Sequence, residues 1–142
     1  HFSNNIRNDG GFLRQAVNRT DPWHPRNLFS QQGRAVFREI VPLVSEMILN
    51  QLDEEGIRRS SLKRVWLHLA NSKMNLLLAK KILEREPSHA ELPLVLKNYG
   101  NTGAAGVVLA FSESQNMDTG SWGVFCAFGA GYSAGSVLLQ KC

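Results

Sequence analysis

Two short stretches carry polar side chains where chemistry is often done. In "VWLHLANSKM" (65–74) an apolar run ends at His68, and Asn71 follows three residues later, ahead of a helical pattern. In "KNYGNTGAAGVVLAF" (97–111) Gly100 precedes Asn101, and small residues open an apolar helix. An imidazole and a carboxamide can both donate hydrogen bonds to an oxygen on which negative charge develops. Gly129-Ala130-Gly131 forms a glycine turn whose backbone N–H groups can add a further donor. Ligands of α/β proteins collect where strands end and helices begin, so these three corners can make one site. A histidine at a strand end is more often structural than catalytic. The company of Asn101 and the glycine turn is what makes His68 a candidate.

The elements that must position these residues are read from periodicity. Residues 1–11 form a short extended segment ending at a turn, where Gly10 and Gly11 supply positive φ. Residues 12–32, with Pro22 and Pro25, form an irregular connection long enough to cover a site. From Gly33, Val36, Phe37, Ile40, Val44, Met47 and Ile48 recur at helical steps, and the helix stops near Gly56. Pro42 is expected to kink it or to mark an irregular turn.

Residues 63–70 read as a strand. Residues 72–87 read as a helix, with Ser72 as N-cap and Pro87 as its end. Residues 91–100 contain a strand or extended segment, and a small-residue helix follows from Asn101 or Thr102 to about Ser114. Residues 121–129 and 132–141 are strands joined by the glycine turn. The order β, loop, α, β, α, β, α, β, β is α/β.

The chain has 142 residues, enough for one domain, and a net charge of +4 that is spread without runs. That balance is too mild for a nucleic-acid arm. Cys126 and Cys142 make no disulfide framework, and His1, His24, His68 and His89 lack metal-ligand spacing, so neither metal nor cofactor is expected. Cysteine usage fits a reducing, cytoplasmic compartment. The apolar window 122–139 approaches a membrane span in length, but its glycines favour two buried strands. "GAGYSAG" (129–135) lacks the dinucleotide spacing and opens a strand instead of a helix. Cys126 lies mid-strand between Phe125 and Ala127, where a small core residue is expected rather than a nucleophile.

"HLAN" (68–71), "YGNTGAAG" (99–106) and "AFGAGYSAGSVLL" (127–139) stand in an order and spacing that resemble the C-terminal half of β-ketoacyl-ACP synthase III. "NDGG" (8–11) and "GRAVF" (33–37) also look like family segments, and the glycine-turn sequence is closest to a divergent branch. The resemblance implies a thiolase-like fold: two βαβαβαββ halves in a five-layered αβαβα architecture, dimeric, with residues 1–142 as the second half. The nucleophilic cysteine of the family lies in the first half, and neither Cys126 nor Cys142 matches it.

The resemblance further implies decarboxylative condensation of an acyl-CoA primer with malonyl-ACP, on a partner acyl carrier protein, in a cytoplasmic homodimer. Neither nucleic acid nor a membrane would be bound. His68 and Asn101 would stabilise the enolate formed as malonyl loses CO₂. The Ala130 N–H would serve an oxyanion hole; Ala stands where the family has Gly, and would be strained if that position needs positive φ. Asn71 would contact the pantetheine arm, Phe128 would be an active-site aromatic residue and Gly33 would line the tunnel. Arg34 and Leu69 depart from the family pattern. Lys73, Arg38, Lys80 and Lys81 match basic positions facing the carrier protein, although lysines on a helix face are ordinarily soluble surface.

Two alternatives accompany this reading. One is an acyltransferase or condensing enzyme with a changed donor or acceptor. The other is a non-catalytic thiolase-fold partner subunit, against which the intact His68 and Asn101 speak. The tunnel-facing residues expected in the long connection are Phe12, Leu13, Trp23 and Phe29.

Overall fold

The computed structural model describes residues 5–7, 30–68 and 70–142. The expectations for Gly10, Gly11, Phe12, Leu13, Trp23, Phe29 and Leu69 lie outside the described residues, as does the 12–32 connection up to residue 29. The rest form a mixed α/β fold. Strands β1 (Ile6–Arg7) and β2 (Ser30–Gln31) make a small antiparallel pair. A second sheet has the order β3-β4-β5, from β3 (Leu62–Leu67), β4 (Trp122–Phe128) and β5 (Ala134–Gln140). β3 and β4 are parallel, and β4 and β5 antiparallel.

The C-terminal half of β3 is covered on both faces of the sheet, which is why Val65, Trp66 and Leu67 form a continuous apolar run. Alternation along the strands sorts the side chains. Val65 and Leu67, with Val124, Cys126 and Phe128, join the core built on helices α1 (Gly33–Glu54) and α2 (Ser72–Leu83). Trp66, Phe125 and Ala127 join the core of helix α4 (Ala105–Glu113). Cys126 is buried, and that burial pushes its thiol up to about 12, so it is the small core residue expected.

Pro42 sits inside one continuous helix, α1, and does not end it. The buried stripe of Val36, Ile40, Val44, Ile48 and Leu52 continues on both sides of it. Packing of that stripe outweighs the one hydrogen bond proline removes. The N-cap of α2 is Asn71, not Ser72. Asn71 has extended backbone, and its Oδ1 accepts from Lys73 N–H at 2.9 Å and Met74 N–H at 3.3 Å. The same helix ends at Leu83, before a left-handed Glu84, and does not reach Pro87.

The stretch 91–100 pairs with β3 through one bond, Val65 N–H to Glu91 C=O at 2.8 Å. It then turns into a short helix, α3 (Leu96–Tyr99), instead of running as a strand. The buried residues of this stretch, Leu92 and Val95, both lie ahead of α3. Among the described residues no helix is long and apolar enough to cross a membrane, and no cluster of His, Cys, Asp and Glu could hold a metal ion.

Candidate active site

His68 is the first residue beyond β3. Its backbone N–H donates to Cys126 C=O at 2.9 Å, which extends the β3–β4 pairing by one bond. The imidazole lies against the ring of Phe128, the last residue of β4, with centroids 4.6 Å apart and planes at 34°. His68 is 9% exposed, and its Nδ1 is buried without a hydrogen-bond partner. Burial lowers its pKa below the usual 6.5, so the ring is neutral at neutral pH. A neutral imidazole has one N–H and one lone pair and can act as a donor without delivering a full charge.

Asn101 follows Gly100 (φ 67°), which takes the chain out of α3. Its Oδ1 accepts from Gly103 N–H at 3.0 Å, an Asx turn. The carbonyl side of the carboxamide is therefore occupied, and the exposed Asn101 keeps Nδ2 available as a donor. Gly103, at φ 62°, packs the turn toward the imidazole: a Cβ there would lie 3.7 Å from His68 Cε1. The signal for Gly103 was present in the sequence as N-T-G, and its proximity to His68 was not. Thr102, between them, has a buried Oγ1 with no partner.

The glycine turn leaves β4 at Gly129 and closes on itself. Gly129 N–H donates to Ser133 C=O at 2.9 Å and Tyr132 N–H to Gly129 C=O at 3.1 Å. The left-handed conformations fall on Gly131 (φ 73°) and Tyr132 (φ 57°).

The structure therefore brings together His68, Phe128, the Asn101 turn and the start of the glycine turn. Asn71 lies next to Ala70, whose N–H donates to His68 C=O at 3.1 Å, but its Oδ1 is spent on the helix cap. Gly33 begins α1 on an exposed surface, with nothing within 4 Å of where a Cβ would be. Arg38 and Lys81 are exposed on α1 and α2. Lys80 is paired with Glu86. Lys73 is exposed and lines a cavity of about 260 Å³ with Leu76, Leu92 and Leu94.

Residues 52–141, more than half the chain, match the family described as "3-Oxoacyl-[acyl-carrier-protein (ACP)] synthase III C terminal". The chain is 44% identical over 145 residues to a β-ketodecanoyl-[acyl-carrier-protein] synthase of Pseudomonas aeruginosa, covering 99% of this chain and 40% of that protein. It is 32% identical over 114 residues to a β-ketoacyl-[acyl-carrier-protein] synthase III of Psychromonas ingrahamii, covering 78% of this chain and 35% of that one. The chain thus spans less than half the length of these curated relatives.

Among solved structures, a 3-oxoacyl-(acyl carrier protein) synthase III from Pseudomonas aeruginosa superposes with a TM-score of 0.71 at 30% identity, over 81% of this chain and 36% of that one. The priming β-ketosynthase of the R1128 polyketide pathway superposes with a TM-score of 0.81 at 24% identity, over 99% of this chain and 41% of that one, a likeness of fold. The fold is thiolase-like α/β, as the sequence implied. The chain belongs to the C-terminal family of 3-oxoacyl-[acyl-carrier-protein] synthase III.

Proposed function

We propose that this chain supplies the His/Asn half of a condensing site that joins an acyl primer to malonyl carried on acyl carrier protein. The observation that carries the reading is a buried, neutral His68 held against Phe128, with the Asn101 turn packed at the imidazole edge. The nucleophilic cysteine comes from a first half outside residues 1–142. That half also covers α4, whose Val108 is 62% exposed on a helix apolar on nearly every side.

In this reading the acyl group passes from CoA to the cysteine, with release of the CoA thiol. The Ala130 N–H donates to the thioester oxygen during that step. Malonyl-ACP then binds and its carboxylate leaves as CO₂. The electron pair of the broken C–C bond moves toward the thioester oxygen as an enolate, where His68 and the Asn101 Nδ2 donate. The enolate carbon attacks the acyl-cysteine carbonyl, and the cysteine thiolate leaves. Two neutral donors stabilise the enolate without offering the carbanion a strongly acidic proton.

Asn71, with Oδ1 held by the cap, offers Nδ2 to the pantetheine arm, and Gly33 keeps the tunnel side of α1 open. Lys73, Arg38 and Lys81 face the acidic carrier protein, with Lys80 a lesser contributor because Glu86 already holds it. The full-length protein is a cytoplasmic homodimer. A relative named for a β-ketodecanoyl product is 44% identical to this chain. Condensation adds two carbons, so that product requires an octanoyl primer, and we assign octanoyl-CoA as the primer here.

The test is the intact mass of the full-length protein before and after octanoyl-CoA, with His68→Ala alongside. Gain of one octanoyl group by both proteins, with malonyl decarboxylation lost only in His68→Ala, supports the reading. Unchanged decarboxylation in His68→Ala removes His68 from the mechanism.

A further inference from the structure

We propose that Tyr132, Glu39 and Asn5 form a latch that fixes the conformation of the Gly129–Tyr132 turn, making them positioning residues for the oxyanion donor. The inference rests on the role proposed above for the Ala130 N–H.

The Tyr132 hydroxyl donates to Glu39 Oε2 at 2.5 Å. Asn5 Nδ2 donates to the same oxygen at 2.9 Å and to Tyr132 Oη at 3.2 Å. One carboxylate oxygen thus gathers three segments distant in sequence: the start of β1, the second turn of α1, and the glycine turn. Each is anchored independently. Glu39 is flanked on α1 by the buried Ile40 and Val36. Asn5 is tied to the start of α1 by Gln32 N–H to Asn5 C=O at 2.9 Å. Tyr132 packs against the main core. A phenol donating to a carboxylate is a charge-assisted bond, stronger than one between neutral groups. Burial, and then the Glu39 carboxylate, raise the Tyr132 pKa, so the phenol remains a donor through the neutral range.

The turn needs such a tie. Gly131 and Tyr132 are consecutive residues with positive φ, and a tyrosine at φ 57° is strained. Two of its backbone bonds, Tyr132 N–H to Gly129 C=O and Gly129 N–H to Ser133 C=O, are local and span only five residues. Left to itself, Tyr132 would relax toward negative φ and swing the preceding peptide groups. An oxyanion donor acts only if its direction is set before charge develops. Holding Tyr132 from α1 keeps the Gly129–Gly131 backbone in one arrangement.

The test uses the full-length protein with Tyr132→Phe, Glu39→Gln and the double variant. Tyr132→Phe keeps the ring and removes only the hydroxyl. Two quantities are read: amide hydrogen exchange across 129–133, and the rate of acylation from octanoyl-CoA. Each single variant is expected to speed exchange in that segment and to slow acylation about 10- to 100-fold, the order expected for a small displacement of a positioned group. The double variant should match the worse single, because both remove one interaction. Unchanged exchange in Tyr132→Phe, or effects that add in the double variant, overturn the latch. If the variants show the exchange response but the parent protein is never acylated, the functional reading is overturned, and the positioning role with it.

Discussion

The His68 imidazole and the Phe128 ring meet at 4.6 Å, one from the end of β3 and the other from the end of β4. Parallel pairing of the two strands, through Leu67 with Cys126, delivers both residues to the same edge of the sheet. The contact removes one face of the imidazole from water and contributes to the burial that lowers its pKa. The neutral ring is the form that would donate to an enolate in the proposed reaction. Malonyl decarboxylation by the full-length protein should therefore be flat through neutral pH and fall only on the acid side, below 6.5. The sign for stability is the same. The unfolded chain binds the proton more readily, so this residue's contribution to stability declines as pH drops below 6.5. An acid limb at or above 6.5 in the pH–rate profile would contradict the burial argument.

Asn101 allows turn-forming and donation to be separated. Asn101→Asp keeps an oxygen for Gly103 N–H, which Asn101 Oδ1 accepts at 3.0 Å, and replaces Nδ2 with negative charge. Decarboxylation should fall by roughly 100- to 1,000-fold, the cost of one lost oxyanion donor. Acylation from octanoyl-CoA should survive. Rates measured for the two half-reactions decide it; equal losses in both would mean that Asn101 only shapes the loop.

Gly123 is required by the aromatic cluster on the α4 face. A Cβ at this position would lie 2.3 Å from Trp66 Cζ3. The indole has nowhere to retreat. Phe111 and Phe125 hold it edge-on at 5.2 and 4.9 Å, and its Nε1–H donates to Ser114 Oγ at 2.8 Å. Gly123→Ala should destabilise by about 1–3 kcal/mol, the usual cost of overpacking. Urea denaturation of the full-length protein reads this directly, and a wild-type midpoint would show that the cluster shifts freely.

Glu91 makes an acid-sensitive tie. The hydrogen bond from Arg85 lowers its carboxyl to about 2, with further bonds from Ser88. A lowered carboxyl contributes stability above its ordinary value of 4.5, and that contribution is lost as pH falls toward 2. Glu91→Gln should cost about 1 kcal/mol or less near neutral pH, because solvent screens the pair. It should also flatten the decline of Tm across this acid window. A variant whose Tm declines as steeply as the parent would rule this residue out as a source of acid sensitivity.

Much of the candidate site is legible in the sequence because its signals are local. The apolar run V-W-L before His68, the glycine before Asn101 and the strand–glycine–strand pattern at 122–140 depend only on neighbours along the chain. Where two local readings are nearly equal, only tertiary contacts separate them. Asn71 and Ser72 are both good caps, and only the extended backbone of Asn71 selects it. Leu92 and Val95 fit a strand or a helical turn, and the chain leaves β3 after one bond. Pro42 points to a kink or an irregular turn, and the structure runs one helix through it with a buried stripe on either side.

The sequence by itself determined the α/β class, the candidate donors and the family. Residue type and spacing set periodicity, and three short motifs carry chemistry that few folds share. Only the tertiary structure decided which atoms are free to act. It commits Asn71 Oδ1 to a helix cap and Asn101 Oδ1 to Gly103, and it holds His68 neutral against Phe128. It also joins Tyr132 to Glu39, 93 positions apart. Hydrogen bonds and burial depend on distances of a few ångströms between elements far apart in the chain, and those distances are fixed by how the helices pack on the sheet.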